Sequence, residues 1–96
     1  MKARLKTTPF DAADYLDDAD AIAFYIEEAF ATEDPAYIAH ALGTVTRAKG
    51  MTEVARKTGL SRESLYKALS AEGNPEFATI LKVMRALDLK ITARAG

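Results

Sequence analysis

The chain has 96 residues, of which 49% are hydrophobic and 28% are charged, and it contains no cysteine. These values exclude an intrinsically disordered chain and a disulfide-stapled fold, and the length allows about one domain. No apolar run approaches the roughly 20 residues of a membrane span, and the first residues lack the apolar core of a signal peptide. We therefore expect a cytoplasmic protein whose thin core gains stability from self-association.

Charge is divided unevenly along the chain. Residues 1–46 carry three basic and nine acidic side chains, whereas residues 47–96 carry ten basic and five acidic ones. The net charges are therefore −6 and +5, and such an asymmetry is typical of a protein with two surfaces for different partners. The basic half could meet a polyanion and the acidic half a basic protein. Alternatively, the two halves neutralise each other within one fold.

The chain lacks most of the residues that catalysis and metal binding need. It contains one histidine, His40, and no P-loop, dinucleotide-binding glycine motif or nucleophile elbow. A histidine with no cysteine or second histidine nearby does not make a metal site. The sequence therefore favours a binding protein over an enzyme, and it predicts neither a metal nor a cofactor.

The N-terminal third has the pattern of two helices. A short helix is predicted over residues 11–16, and a longer one runs from residue 18 or 20 to Ala31. Apolar residues recur in the longer helix at the spacing of one helical face. They are Ile22, Tyr25, Ile26, Ala29 and Phe30. We define residues 1–33 as an acidic helical extension of the domain that follows.

Two further helices have clear start signals. Asp34 can cap a helix that has Pro35 in its first turn, and this helix is predicted to end at Gly50. Asn74 followed by Pro75 predicts the same kind of start for a last helix.

The end of the chain shows another periodicity. Apolar and polar residues alternate over residues 87–94, which predicts a short strand. An isolated strand leaves its backbone groups unpaired. The strand must therefore pair either with its twin in a dimer or with the sheet edge of a partner.

Residues 51–70 hold the pattern that decides the fold class. Ala55 is small where one helix must cross another, Gly59 can adopt the left-handed conformation that ends the first helix, and Ser61 can cap the second. The small core between them would be Val54, Leu60, Leu65 and Ala68. This pattern predicts a helix-turn-helix, although a plain helical hairpin with a glycine in its turn shares part of it.

The second helix of this pair carries side chains that suit DNA. Arg62 can donate two hydrogen bonds to guanine, and Glu63 can accept one from cytosine. Serine hydroxyls at a helix N-terminus suit a phosphate, and exposed lysines and arginines add sequence-independent attraction. The predicted DNA-binding residues are Ser61, Arg62, Glu63, Ser64, Tyr66 and Lys67, with Arg56 and Lys57 on the first helix and further attraction from Arg47 and Lys49.

The whole chain resembles the addiction-module antidote proteins, HigA-like antitoxins of the lambda-repressor-like (Xre) helix-turn-helix class. The matching stretches are residues 10–16, 41–43, 50–51, 59–70, 73–75 and 81–89. The resemblance implies a five-helix repressor fold, a homodimer, autoregulation of an operon, and neutralisation of a small RelE/HigB-type or related toxin. It also implies DNA contacts from Ser61, Arg62, Glu63, Ser64 and Lys67. Thr58 stands where this class usually has an aliphatic residue.

We therefore predict an all-α protein in which residues 34–96 form a lambda-repressor-like helix-turn-helix domain that ends in a short strand. The predicted function is a repressor that binds double-stranded operator DNA and acts as the antitoxin of a type II toxin–antitoxin module. Two alternatives stay open: a prophage-type regulator without a toxin, and a protein-binding module that keeps the helix-turn-helix only as a scaffold. The acidic extension either covers a basic toxin or is a solvated helical face.

Overall fold

A computed structural model describes residues 18–96 of the chain. Within that range it contains five α-helices and no strand, so the predicted all-α class is confirmed for the described residues. The helices are α1 (Ala19–Ala31), α2 (Pro35–Lys49), α3 (Met51–Thr58), α4 (Arg62–Ala68) and α5 (Phe77–Ala86). None of these helices is long and apolar enough to cross a membrane. The short helix predicted over residues 11–16 lies outside the described residues.

The first two helices begin and end as predicted. The side chain of Asp18 accepts a hydrogen bond from the N–H of Ala21 at 2.8 Å, and that of Asp34 accepts one from the N–H of Ala36 at 3.0 Å. Both contacts satisfy donors that a helix N-terminus leaves without a partner in the helix.

The helices pack around one apolar core. α1 contributes the inward face that its periodicity predicted, and it packs against α2. The largest fully buried apolar side chains come from α2, α3, α4 and α5, and burial of each contributes about 1.5–3 kcal/mol to folding. They are Leu42, Val45, Val54, Leu65 and Val83. α3 and α4 therefore rest on the same core as the longer helices.

α2 and α4 approach each other closely at Gly43. A Cβ atom placed on Gly43 would lie 2.7 Å from the carbonyl oxygen of Leu69, the residue that caps the C-terminus of α4. A Cβ cannot approach a backbone oxygen so closely in a well-packed interior. The position of α4 on α2 therefore depends on the absence of a side chain at Gly43.

The last helix begins later than predicted. Its N-cap is Glu76, which makes no capping hydrogen bond through its side chain, so Asn74 and Pro75 both precede the helix. Asn74 has a φ of +47°, in the left-handed region, whereas an N-cap residue needs an extended backbone. The prediction that Asn74 caps this helix is therefore wrong.

The predicted C-terminal strand over residues 87–94 is also wrong, because residues 18–96 contain no strand. α5 ends instead in a Schellman turn. The N–H of Asp88 donates to the carbonyl oxygen of Arg85 at 3.0 Å, and the N–H of Leu89 donates to that of Met84 at 2.8 Å. Asp88 has a φ of +60°, the left-handed conformation that this turn requires. The first apolar residues of the alternating pattern, Leu87 and Leu89, therefore pack against the core where α5 ends and do not begin a strand.

The C-terminal tail, residues 90–96, runs beside α1. The Nη2 atom of Arg94 lies 3.6 Å from the Oε2 atom of Glu27, and both side chains are largely exposed. A groove of about 730 Å³ is lined by both segments, with Ile26 and Phe30 on the helix and Ile91 on the tail. The alternating residues of the tail therefore face a helix and solvent rather than a neighbouring strand.

We expect Gly43→Ala to lower the free energy of unfolding by about 1–3 kcal/mol, because the new methyl group must push α4 away from α2. Urea denaturation followed by circular dichroism measures this change. Gly59→Asn is the comparison: a Cβ at residue 59 meets nothing within 4 Å, so its cost should be limited to the backbone strain at a φ of +81°, which asparagine keeps smaller than most residues do. A Gly43→Ala variant as stable as the wild type would show that α4 does not depend on this contact.

Candidate nucleic-acid interface

α3 and α4 are joined by a tight turn over residues 59–61. Gly59 has a φ of +81°, and its N–H donates to the carbonyl oxygen of Ala55 at 2.9 Å. The left-handed conformation predicted for Gly59 is therefore confirmed. Ala55 is partly buried against the core, as expected for a small residue beneath a helix crossing.

Thr58 has a role in this turn that the sequence reasoning missed. Its hydroxyl donates to the carbonyl oxygen of Ala55 at 3.2 Å and accepts a hydrogen bond from the N–H of Leu60 at 3.2 Å. It thereby bonds to the backbone on both sides of the turn. A threonine directly before a glycine at a helix end was the available signal. The hydroxyl of Thr58 thus stabilises the turn through hydrogen bonds.

The N-terminus of α4 is capped as predicted. The hydroxyl of Ser61 accepts a hydrogen bond from the N–H of Ser64 at 2.9 Å and donates to the hydroxyl of Ser64 at 2.9 Å. Such a cap contributes about 0.5–2 kcal/mol to helix stability. The two hydroxyls therefore lie together over the first turn of α4, next to the positive end of the helix dipole.

α4 has one buried face and one exposed face. Leu65 is fully buried and Leu69, directly after the helix, is 5% exposed. The opposite face is open to solvent, and Tyr66 is 54% exposed. All six residues predicted for DNA contact on this helix and its cap are exposed: Ser61, Arg62, Glu63, Ser64, Tyr66 and Lys67. The described part of the chain therefore leaves the polar face of α4 uncovered.

The two predicted DNA-binding residues of α3 share one carboxylate. The Oε2 atom of Glu53 lies 2.5 Å from the Nη2 atom of Arg56 and 3.9 Å from the Nζ atom of Lys57. The hydrogen bond with Arg56 lowers the pKa of Glu53 and raises the pKa of Arg56. Both groups therefore stay ionised at neutral pH. Glu53 was not predicted to take part in the site, although its spacing of three and four residues from these cations is a known signal.

Basic side chains from three successive helices are exposed in this region. Residues 47–68 contain six basic and two acidic residues, a net charge of +4. The basic ones are Arg47, Lys49, Arg56, Lys57, Arg62 and Lys67, and each is exposed. Arg47 of α2 and Tyr66 of α4 line the same cavity of about 40 Å³, so α2 adjoins the exposed face of α4. The net positive charge of this region would attract a polyanion.

The same region offers no evident site for a metal. Within residues 18–96, no three or more histidine, cysteine, aspartate and glutamate side chains are grouped so that they could hold a metal ion. His40 lies exposed on α2, and its carbonyl oxygen accepts a hydrogen bond from the hydroxyl of Thr44 at 3.2 Å. The exposed side chains of the interface carry charged and hydroxyl groups.

Comparison with known proteins gives the family. A family model described as "Probable addiction module antidote protein" matches residues 6–95. The chain belongs to this antidote family. An uncharacterized protein of Haemophilus influenzae (strain Rd) is 47% identical to it over 81 residues, which cover 84% of each chain. No solved structure matches the chain significantly. An antidote acts against the toxin of its module, so membership implies a toxin partner.

Proposed function

We propose that the protein is the antitoxin of a type II toxin–antitoxin module and represses its own operon by binding operator DNA. In this proposal α3 and α4 form a helix-turn-helix of the lambda-repressor-like, HigA-like class. The observation that carries it is the capped, outward-facing polar side of α4, which is exposed while Leu65 on its other side is fully buried. A helix held in this way can enter the major groove with its first turn leading.

Each predicted residue has a defined task in this complex. Arg62 would donate to guanine and Glu63 would accept from cytosine, and each good pair contributes about 1–3 kcal/mol of discrimination. Lys67 would contact a base or a phosphate, and Tyr66 a phosphate. The hydroxyl of Ser64 would donate a hydrogen bond to a phosphate at the helix N-terminus, and that of Ser61 would do so by turning away from Ser64.

The α3 cations would contribute a different kind of contact. Arg56 and Lys57 precede the turn, on the helix that crosses the DNA backbone in this class of motif. Their contacts with phosphates position the protein but carry no sequence information.

Exposed apolar side chains on α5 and the tail support a homodimer. Phe77 is 66% exposed, and Leu81 and Ile91 are each 40% exposed. The charges beside them are self-complementary, because Arg85 of one copy can pair with Asp88 of the other in a two-fold interface. A dimer of this kind would bind an operator with two half-sites about one helical turn apart.

The outer face of α1 has the chemistry of a surface for the toxin, which we propose is of the RelE/HigB type. Phe24 is 63% exposed on this helix, and Asp20, Glu27 and Glu28 are exposed around it. An aromatic anchor with acidic neighbours suits a basic protein, because the charges steer association and the ring supplies contact area. This toxin surface also distinguishes the proposal from a prophage-type regulator that has no toxin.

We expect the affinity for the promoter of the protein's own operon to fall steeply with salt, with a slope of log K against log salt of about −5 if roughly six phosphates are neutralised per dimer.

Arg62→Ala should weaken the free energy of binding to the operator by about 1–3 kcal/mol and relax the sequence preference of the protein, whereas Lys57→Ala should weaken binding to all duplexes alike. Fluorescence anisotropy over a salt series measures both effects. A flat salt response would remove the DNA assignment.

We expect Leu81→Glu to give a monomer under conditions in which the wild type is a dimer, because the proposed interface would bury a carboxylate at residue 81 of each copy. Analytical ultracentrifugation measures the change, and circular dichroism checks that the helices remain. Phe24→Glu introduces the same charge on α1 and should leave the dimer intact. A dimeric Leu81→Glu variant, or a monomeric wild type, would rule out this interface.

We expect the toxin gene beside this gene to arrest growth when expressed alone, and co-expression of the wild-type protein to restore growth. Phe24→Lys should lose this rescue, because it replaces the aromatic anchor with a charge that repels a basic toxin. Tyr37→Lys, at another exposed aromatic position on α2, is the matched control and should rescue normally. An adjacent gene without toxic effect, or rescue by the Phe24→Lys variant, would contradict this assignment.

A further inference from the structure

Glu53 lies at the centre of the charged surface of α3. Its Oε2 atom contacts the Nη2 atom of Arg56 at 2.5 Å and the Nζ atom of Lys57 at 3.9 Å. Its Oε1 atom accepts a hydrogen bond from the Nε atom of Arg56 at 3.4 Å. One carboxylate therefore engages both cations that the proposed function assigns to the DNA backbone.

These ion pairs contribute little to the fold. The side chains of Glu53, Arg56 and Lys57 are 49%, 67% and 42% exposed, and surface pairs of this kind are screened by solvent and salt. A phosphate forms strong charge-assisted hydrogen bonds with arginine. The carboxylate can therefore be exchanged for a phosphate without damage to α3.

The cations of α4 have a different environment. Among the residues that the structure describes, the ion pairs within 4.0 Å involve neither Arg62 nor Lys67. The carboxylate of Glu53 therefore acts on the phosphate contacts of α3 and leaves the base-reading side chains of α4 alone.

We propose that Glu53 competes with DNA phosphates for Arg56 and Lys57, and that it thereby lowers the affinity of the protein for DNA of any sequence. This inference rests on the proposed DNA-binding function. When α3 meets the DNA backbone, the two cations leave the carboxylate for phosphates, and the carboxylate then repels those phosphates at close range. Discrimination between sequences is left to α4, because the competition weakens only contacts that carry no sequence information.

The test compares Glu53→Gln with the wild type on a duplex of arbitrary sequence about two helical turns long, so that no operator has to be known. Fluorescence anisotropy over a salt series gives the dissociation constants. We expect Glu53→Gln to bind about 3- to 10-fold more tightly, with a salt slope steeper by about 1, because the surface that faces the phosphates loses one negative charge. Glu33→Gln makes the same charge change in the turn before α2, at the opposite end of that helix from Arg47, and should alter affinity by less than about twofold.

A second comparison separates competition from plain repulsion. In a chain that carries Arg56→Ala and Lys57→Ala, Glu53 has no α3 cations to hold, so Glu53→Gln should gain clearly less affinity than it does in the wild-type background, because only the direct repulsion of phosphates is then relieved. An undiminished gain in that background would overturn the competition.

The outcomes also separate this inference from the function on which it rests. If the wild type binds the duplex and Glu53→Gln binds equally or more weakly, the inference fails and the DNA-binding function stands. If no variant binds DNA even at the lowest salt, the proposed function fails and the inference fails with it.

Discussion

The packing of α4 against α2 is the constraint on which the candidate interface depends. α4 has seven residues, and a helix of this length is not stable alone in water. It is held by the burial of Leu65 and Leu69 in the common core and by the close approach of its C-terminus to Gly43. The cap at Ser61 fixes its other end. Tertiary contacts on one face thus make α4 rigid enough to present polar side chains on the other.

The structure separates the two charged halves of the chain instead of pairing them. Of the ion pairs within residues 18–96, those of Glu53 lie within α3, and the one between Glu27 and Arg94 joins the acidic half to the exposed tail. Within the described residues, the alternative in which the two halves neutralise each other is thus supported by one exposed ion pair, and such a pair contributes little to stability. The remaining charges stay available on separate helices.

Local signals in the sequence predicted the parts of the fold that local interactions determine. The caps at Asp34 and Ser61 and the left-handed Gly59 each involve residues within three or four positions of one another, so their chemistry can be read without knowing the path of the chain. Asn74 and Asp88 were misread because both residue types also adopt the left-handed conformation, and the path of the chain decides between the options. The α2–α4 contact at Gly43 was out of reach, since it joins residues far apart in sequence.

α2 connects the two surfaces that the proposed function requires. α1 packs on one part of it and α4 on another, and α2 is an uninterrupted helix of 15 residues that is capped by Asp34 and ends at Gly50. Energetic coupling between two sites requires an element that can adopt two alternative arrangements. A continuous capped helix in a close-packed core fixes the relative positions of the two surfaces but does not provide a second arrangement. A toxin bound to α1 would therefore change the affinity for DNA through its own charge and bulk, because a basic toxin brings further cations to the complex.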